Sequence, residues 1–265
     1  MKTFVLLTLL TMVLLIEFSA HAYILPLDFI LSKTVEQSGK SIISVEQNVI
    51  FSEETPEGVK EHIIKEQWLI EGDKNLRLTA IGTGELKDSI KIHYLYNNKK
   101  RIQISGKNNV IKEISPDFFE KFSVIKTSSA YQTYLKELNI TPDVRLSRAS
   151  GTISFAIGAP STEDLLKPQI WIDQDFFRLN KIRFPSNAEV EFSNYKEYDS
   201  LHYPDLKTVT WADKTVTIEV TKVSTKTKST IKSFYPKTLE LPSQMTLSDK
   251  GSIGQTIEEF YTRFR

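Results

Sequence analysis

The sequence predicts a mainly β fold with α (α+β): an unclosed antiparallel β-barrel of about ten or eleven strands covered by helices. Three observations lead there. Short segments of alternating apolar and polar residues, separated by turn residues, recur on both sides of a helical middle. A single sheet of that size has to curl, and its apolar concave face has to be covered. Three stretches with apolar residues at helical spacing supply the cover and leave room for an apolar cavity between helices and sheet.

The chain of 265 residues opens with Lys2, an apolar run from Val5 to Ile16, and Ser-Ala-His-Ala ending at Ala22. This is the pattern of a secretory signal peptide cleaved between Ala22 and Tyr23, and the run is too short to span a bilayer. Residues 23–265 are then a single domain, expected to be soluble. There is no cysteine, which excludes disulfides, thiolate metal sites, a catalytic thiol and acylation of the chain itself. Secretion without disulfides points to a bacterial periplasm. With 34 basic against 33 acidic residues, nothing in the charge calls for nucleic acid.

Leu27 to Gln37 places Leu27, Ile30, Leu31 and Val35 on one helical stripe. The period then becomes two. One face collects Ile43, Val45, Val49 and Phe51, then Ile64, Trp68 and Ile70, then Leu76, Leu78 and Ala80, then Ile90, Ile92, Tyr94 and Tyr96. In the middle, Ser115-Pro116-Asp117 reads as a helix start, and Ser129 to Leu138 as a helix with Tyr131, Tyr134, Leu135 and Leu138 on one side. The segments GTISFAIG, QIWID, FRLNKIRF, AEVEFSNY, LKTVTW and TVTIEVTKV return to strand, and Ile253 to Phe264 reads as a closing helix.

Chemical motifs are scarce. Ser38-Gly39-Lys40-Ser41 matches the end of a phosphate-binding loop, but Thr34 stands where the loop needs glycine and a helix precedes it. Gly82 and Gly84 read as a hairpin turn. His62, His93 and His202 lie far apart, so no metal site is expected, and no cofactor. Lys222, Lys226, Lys228, Lys232 and Lys237 either meet anionic headgroups or, the preferred reading, guard an exposed edge strand. Asp173 and Asp175 are the remaining candidates for a catalytic pair. Aspartate is depleted in strands and bonds the backbone two residues on, so the pair reads as a turn and the protein as a non-enzyme.

Several stretches carry a resemblance. YLKELNI followed by RASGTISFAIGA, then PQIWIDQDFFRLNKIRF and VEFSNYKEYDSLHYP, resembles the bacterial outer-membrane lipoprotein-sorting proteins of the periplasmic lipoprotein carrier (LolA-like) superfamily. Ile157-Gly158-Ala159, the strand Pro168 to Asp173 around Trp171, the acidic turn to Phe176, the returning strand Leu179 to Phe184, Tyr195 and Tyr203-Pro204 carry it. SVEQNVIF and IKEQWLIEGDKNLRL resemble the family's N-terminal half. The resemblance implies an unclosed barrel covered by helices and a monomer that takes lipoprotein acyl chains, or other lipids, into an apolar cavity. It also implies an inner-membrane release complex and an outer-membrane receptor as partners. The sequence departs from the pattern by extra material around Lys107 to Thr127 and at the C-terminus. It also has Glu71-Gly72 where the carriers have an Arg-Pro pair that helps hold the lid closed, with Arg77 as a candidate substitute.

Alternation selects Trp68, Ile70, Leu76, Leu78, Ile92, Tyr94, Val190 and Phe192 as cavity-lining residues, with Trp171 and Trp211 as secondary candidates whose sheet face alternation does not decide. The expected function is an acyl-chain carrier. The alternative is an interaction or sensor module of the same fold, with a filled interior and a functional exposed edge.

Overall fold

The protein is described here from a computed structural model covering residues 24–37, 42–72, 75–97, 99–105, 108–158, 167–198, 201–226 and 231–265. The signal peptide with its Ala22/Tyr23 junction, Ser38 to Ser41, Ala159 and Lys228 lie outside the described residues.

Strands β1 (Ile42–Thr55) and β2 (Gly58–Glu71) form a long hairpin closed by Pro56 and Glu57. Gly58 sits there at φ 121°, a conformation that L side chains rarely adopt. From β2 the chain meanders outward through β3 (Asn75–Gly82), β4 (Ile90–Asn97), β5 (Lys100–Ser105) and β6 (Asn108–Glu113). A second meander runs through β7 (Val144–Ala149), β8 (Thr152–Gly158), β9 (Gln169–Asp173), β10 (Leu179–Arg183), β11 (Glu189–Tyr198), β12 (Leu201–Trp211) and β13 (Lys214–Lys226). β13 pairs antiparallel with β1, from Ile42↔Lys226 to Phe51↔Val216, and this seam joins the two meanders into one sheet. Its outer strands are β6 and β7, so the barrel is unclosed.

Among the described residues the sheet has 14 strands, more than the ten or eleven expected. The strands that periodicity missed are β5, β6, β7 and β14 (Gln244–Met245). β6 is exposed along nearly its whole length and β14 is two residues long, so neither has an apolar period to read. Of the lysine-rich tract, Lys222 and Lys226 lie on the end of β13 that is paired with β1 alone, as an edge is. β13 is flanked by β1 and, as far as Glu219, by β12, and only its end from Val220 onward projects past β12.

Helix α1 (Leu27–Gln37) and helix α2 (Ser128–Glu137) cover the concave face. Asp28 Oδ1 ties them together by accepting from Ser128 Oγ at 2.5 Å and Gln132 Nε2 at 3.2 Å. The stretch between β6 and β7 thus carries the chain from one sheet edge to the other over the hollow. A helix starting at Ser115 is not formed; a 3-10 turn, Phe119–Ser123, stands in its place. Phe118, Phe119, Phe122, Val124 and Ile125 are all buried, and an α-helix would turn some of them to solvent.

The C-terminal segment wraps around the sheet. Phe234 and Leu239 pack on the outer face against Leu95 and Ile102. β5 pairs with β4 only from Leu95 to Asn97, which leaves the edge at Ile90 and Lys91 to β14. Helix α3 (Gly251–Arg263) then enters the interior, burying Ile253, Ile257, Phe260 and Tyr261, with Phe264 after them.

Candidate functional site

The inward face of β2 reads Ile64, Glu66, Trp68, Ile70, and all four are buried, the glutamate included. Glu66 accepts from Gln47 Nε2 at 2.7 Å, Trp68 Nε1 at 3.1 Å and Arg265 Nε at 2.9 Å. The Arg265 guanidinium lies among the rings of Trp68, Phe119 and Phe260, 4.8 to 5.5 Å from their centroids. Beside it, Lys207 Nζ donates to both oxygens of Glu120 at 2.8 and 3.0 Å and to Tyr203 Oη at 3.0 Å. Burial alone would push the Glu66 carboxyl up, but the Arg265 guanidinium and its hydrogen bond hold it below the usual carboxylate range. Burial would likewise push the Lys207 ammonium down, and the Glu120 carboxylate overcomes this and raises it. Two cations and two carboxylates thus compensate one another inside the barrel, the condition under which buried charge is tolerated.

This network and α3 occupy the space around which the sequence reading assembled its lining residues. Trp68, Ile70, Leu78, Ile92 and Val190 are sealed in the main core. Trp211 packs on Phe260 and Phe264 with centroids 6.2 and 5.1 Å away, and Tyr94 is covered by the Arg101 guanidinium at 4.4 Å. Trp171 is on the opposite face. Ile170 and Ile172 point inward, so period two sends the indole outward into a small cluster with Ala149 and Ala156, under Lys181 and Arg183. It does not line the interior, and the expectation that it does is corrected by strand phase. Phe192 borders a small pocket of about 70 Å³ beside Tyr131, Tyr195 and Leu201.

Of the expected set, Leu76 alone borders the large cavity. That cavity, about 600 Å³ and open on one side, lies between the β3–β4 face, the segment Ile114 to Ile125 and α2. Its walls include Leu76, Tyr96, Ile114, Phe118, Val124, Ile125, Ala130 and Leu138. Its floor is the stack of Tyr96 on Phe118, with centroids 4.7 Å apart and planes 11° apart. Above it α2 is fixed at its start by Thr127, whose Oγ1 accepts from Ala130 N at 3.2 Å, and laterally by Tyr134 Oη donating to Phe118 O at 3.3 Å. Charge stands only around the mouth. Glu137 accepts from Lys99 Nζ at 2.6 Å and from Lys121 Nζ at 3.0 Å, and Lys121 lies 3.8 Å over the Tyr134 ring. Desolvation lowers the Lys121 pKa, and the two lysines hold Glu137 below the usual carboxylate range against the effect of its own partial burial. Periodicity in the sequence marks the α2 stripe with Tyr134 and Leu138 but misses Phe118, Val124 and Ile125, which stand in a segment without a regular period.

Asp173 closes a turn. Its Oδ1 accepts from Asp175 N at 2.9 Å and Phe176 N at 2.8 Å, the local backbone bonding expected of aspartate after a strand. Arg77 points outward and pins the C-terminal segment, donating to Ser233 O at 3.0 Å and Thr238 O at 3.2 Å, so it does not hold a lid. His62 bonds Glu53 at 2.9 Å across the first hairpin. Among the described residues no helix is long and apolar enough to cross a membrane.

No family model and no curated protein matches the chain. Solved structures do. A domain described as an outer membrane lipoprotein-sorting protein from Vibrio parahaemolyticus is 12% identical at a TM-score of 0.55, covering 82% of this chain and 98% of that one. A LolA superfamily protein from Nitrosomonas europaea is 10% identical at a TM-score of 0.55, covering 80% of this chain and 98% of its own. A DUF1329 family protein from Desulfovibrio piger is 11% identical at a TM-score of 0.53, covering 81% and 99%. At such identities the likeness is one of fold, and the fold of this chain is that of the LolA superfamily and the outer-membrane lipoprotein-sorting proteins.

Proposed function

We propose that the protein is a periplasmic carrier that holds the acyl chain of a lipid or lipoprotein in the cavity beneath α2 for transfer toward the outer membrane, after removal of residues 1–22. The observation that carries this reading is the cavity itself: about 600 Å³ of space with mostly apolar walls, beside a core in which Trp68, Ile92 and Val190 are fully buried. A cavity of about 150 Å³ admits benzene, roughly 25 Å³ per carbon, so this one has room for on the order of 20 carbons. Each methylene removed from water contributes about 0.8 kcal/mol, enough for one long chain to bind tightly after ordering costs. The fold, shared with lipoprotein-sorting proteins, supports the same reading. An inner-membrane release complex and an outer-membrane receptor are the partners that such a carrier requires.

The filled main interior favours a second reading, an interaction module that binds a partner protein. One experiment separates them. Delipidated mature protein titrated with a fluorescent polyene fatty acid should show saturable binding, and Ala130→Trp, which fills the cavity from α2, should weaken it by about tenfold or more with the circular dichroism unchanged. Absence of saturable binding in the wild type would favour the partner-binding module.

A further inference from the structure

Resting on the proposed acyl-chain site, we infer that the cavity selects a single-chain lipid with an anionic head, a carboxylate or phosphate, and that Glu137 occupies the place of that head in the empty protein. The mouth carries two ammonium groups, Lys99 and Lys121, against one carboxylate. No comparable charge stands deeper in, where the walls are Leu76, Ile114, Phe118, Val124 and Ile125. A ligand matched to this distribution is apolar along its length and negative at one end.

The position of Glu137 shows why it can give way. It is the last residue of α2, where the unpaired carbonyls of the helix end repel a carboxylate. What holds it there is the pair of lysines, at 2.6 and 3.0 Å. Lys121 has a second contact besides Glu137, over the ring of Tyr134 one turn back from Glu137 on the same helix, and most of its side chain is shielded from water. Lys99 is carried next to β5 on the sheet side, with its side chain 72% exposed. An incoming carboxylate that takes both lysines from Glu137 breaks the two ion pairs that α2 makes among the described residues, while the Lys121 contact with Tyr134 stays. Head-group recognition and the loss of those two ion pairs become one event.

The room available points the same way. Space for on the order of 20 carbons takes one chain, not the several chains of a diacyl or triacyl lipid.

The test compares dodecanoate with dodecanol by calorimetric titration into the delipidated mature protein. Dodecanoate is expected to bind about tenfold tighter or more, as charge-assisted hydrogen bonds allow. The double variant Lys99→Met with Lys121→Met should lose the preference for dodecanoate or reverse it, since Glu137 then faces the head unopposed. Glu137→Gln, which retains the shape of the side chain and removes the competing charge, should strengthen dodecanoate binding about threefold to tenfold and leave dodecanol unchanged. Equal affinities of the two ligands in the wild type, or a Glu137→Gln effect of the same size on both, would overturn the head-group assignment and leave the acyl-chain site standing. Failure of both ligands to bind would overturn the acyl-chain site as well.

Discussion

A glutamate in the middle of an apolar strand face is the kind of residue that periodicity passes over. Glu66 lies between Ile64 and Trp68, and the alternation around it is regular enough for the charge to be read as noise. Its partner Arg265 lies at the other end of the chain, so no local pattern announces the pair. The energetics of such pairs are asymmetric. Removing one member leaves an uncompensated buried charge, whereas removing both takes the two charges out together. Arg265→Met is therefore expected to destabilise the protein by about 3–5 kcal/mol, and Glu66→Met with Arg265→Met to recover most of that loss. Chemical denaturation of the single and double variants, read as a double-mutant cycle, checks it. Additive losses would mean that the two side chains contribute independently.

At the scale of elements, α2 matters more than its ten residues suggest, because it roofs the cavity while resting on few fixed points. Its start depends on Thr127, the one side chain that caps it. Thr127→Ala should cost about 1 kcal/mol, seen as a lower urea midpoint, with faster hydrogen exchange confined to the helix. Helix α2 was legible in the sequence almost to the residue, since Tyr131, Tyr134, Leu135 and Leu138 repeat at helical spacing. The strands with a strict period of two were equally plain, and so was the Asp173 turn. The cavity was not. Alternation identifies which residues face inward, but not which of them another element will cover. Trp68, Ile92 and Val190 do face inward, and α3 with the segment around Phe119 has filled the space before them. The site formed instead where the extra segment after β6 meets α2, in a region without periodic pattern. Trp171 was misplaced for a simpler reason: a lone aromatic residue does not declare its face, and Ile170 and Ile172 on either side already held the inward one.

For the whole molecule, the buried network ties β1, β2, β12, the Phe119–Ser123 turn and the chain's last residue to one another. Its ionisation therefore bears on global stability. Glu66 has a folded pKa below its unfolded value of about 4.3, so its contribution is present above that pH and is lost as pH falls through the folded value. Lys207 has a folded pKa above its unfolded value of about 10.4, so its contribution is complete below that pH and is lost as pH rises through the folded value. The stability that these two groups supply, read from thermal unfolding midpoints, should accordingly fall below about pH 5 and above about pH 10, with a shallower acid limb in Glu66→Gln. Lys126, whose ammonium burial lowers to about 8, adds a rise in stability between about pH 8 and pH 10. A midpoint that climbs or drops steadily through neutral pH would show that other groups govern.

The β1–β13 seam has a kinetic consequence. β1 takes one neighbour, β2, from the adjoining stretch of chain and the other, β13, only after everything between them has been synthesised and laid down. Most of the sheet can zip up from short hairpins, but this one ladder must bring together distant stretches of polypeptide, with a large loss of chain entropy before any reward. Refolding should be slow on that account. Until the seam is made, two half-sheets expose raw edges to each other and to any extended peptide in the same compartment.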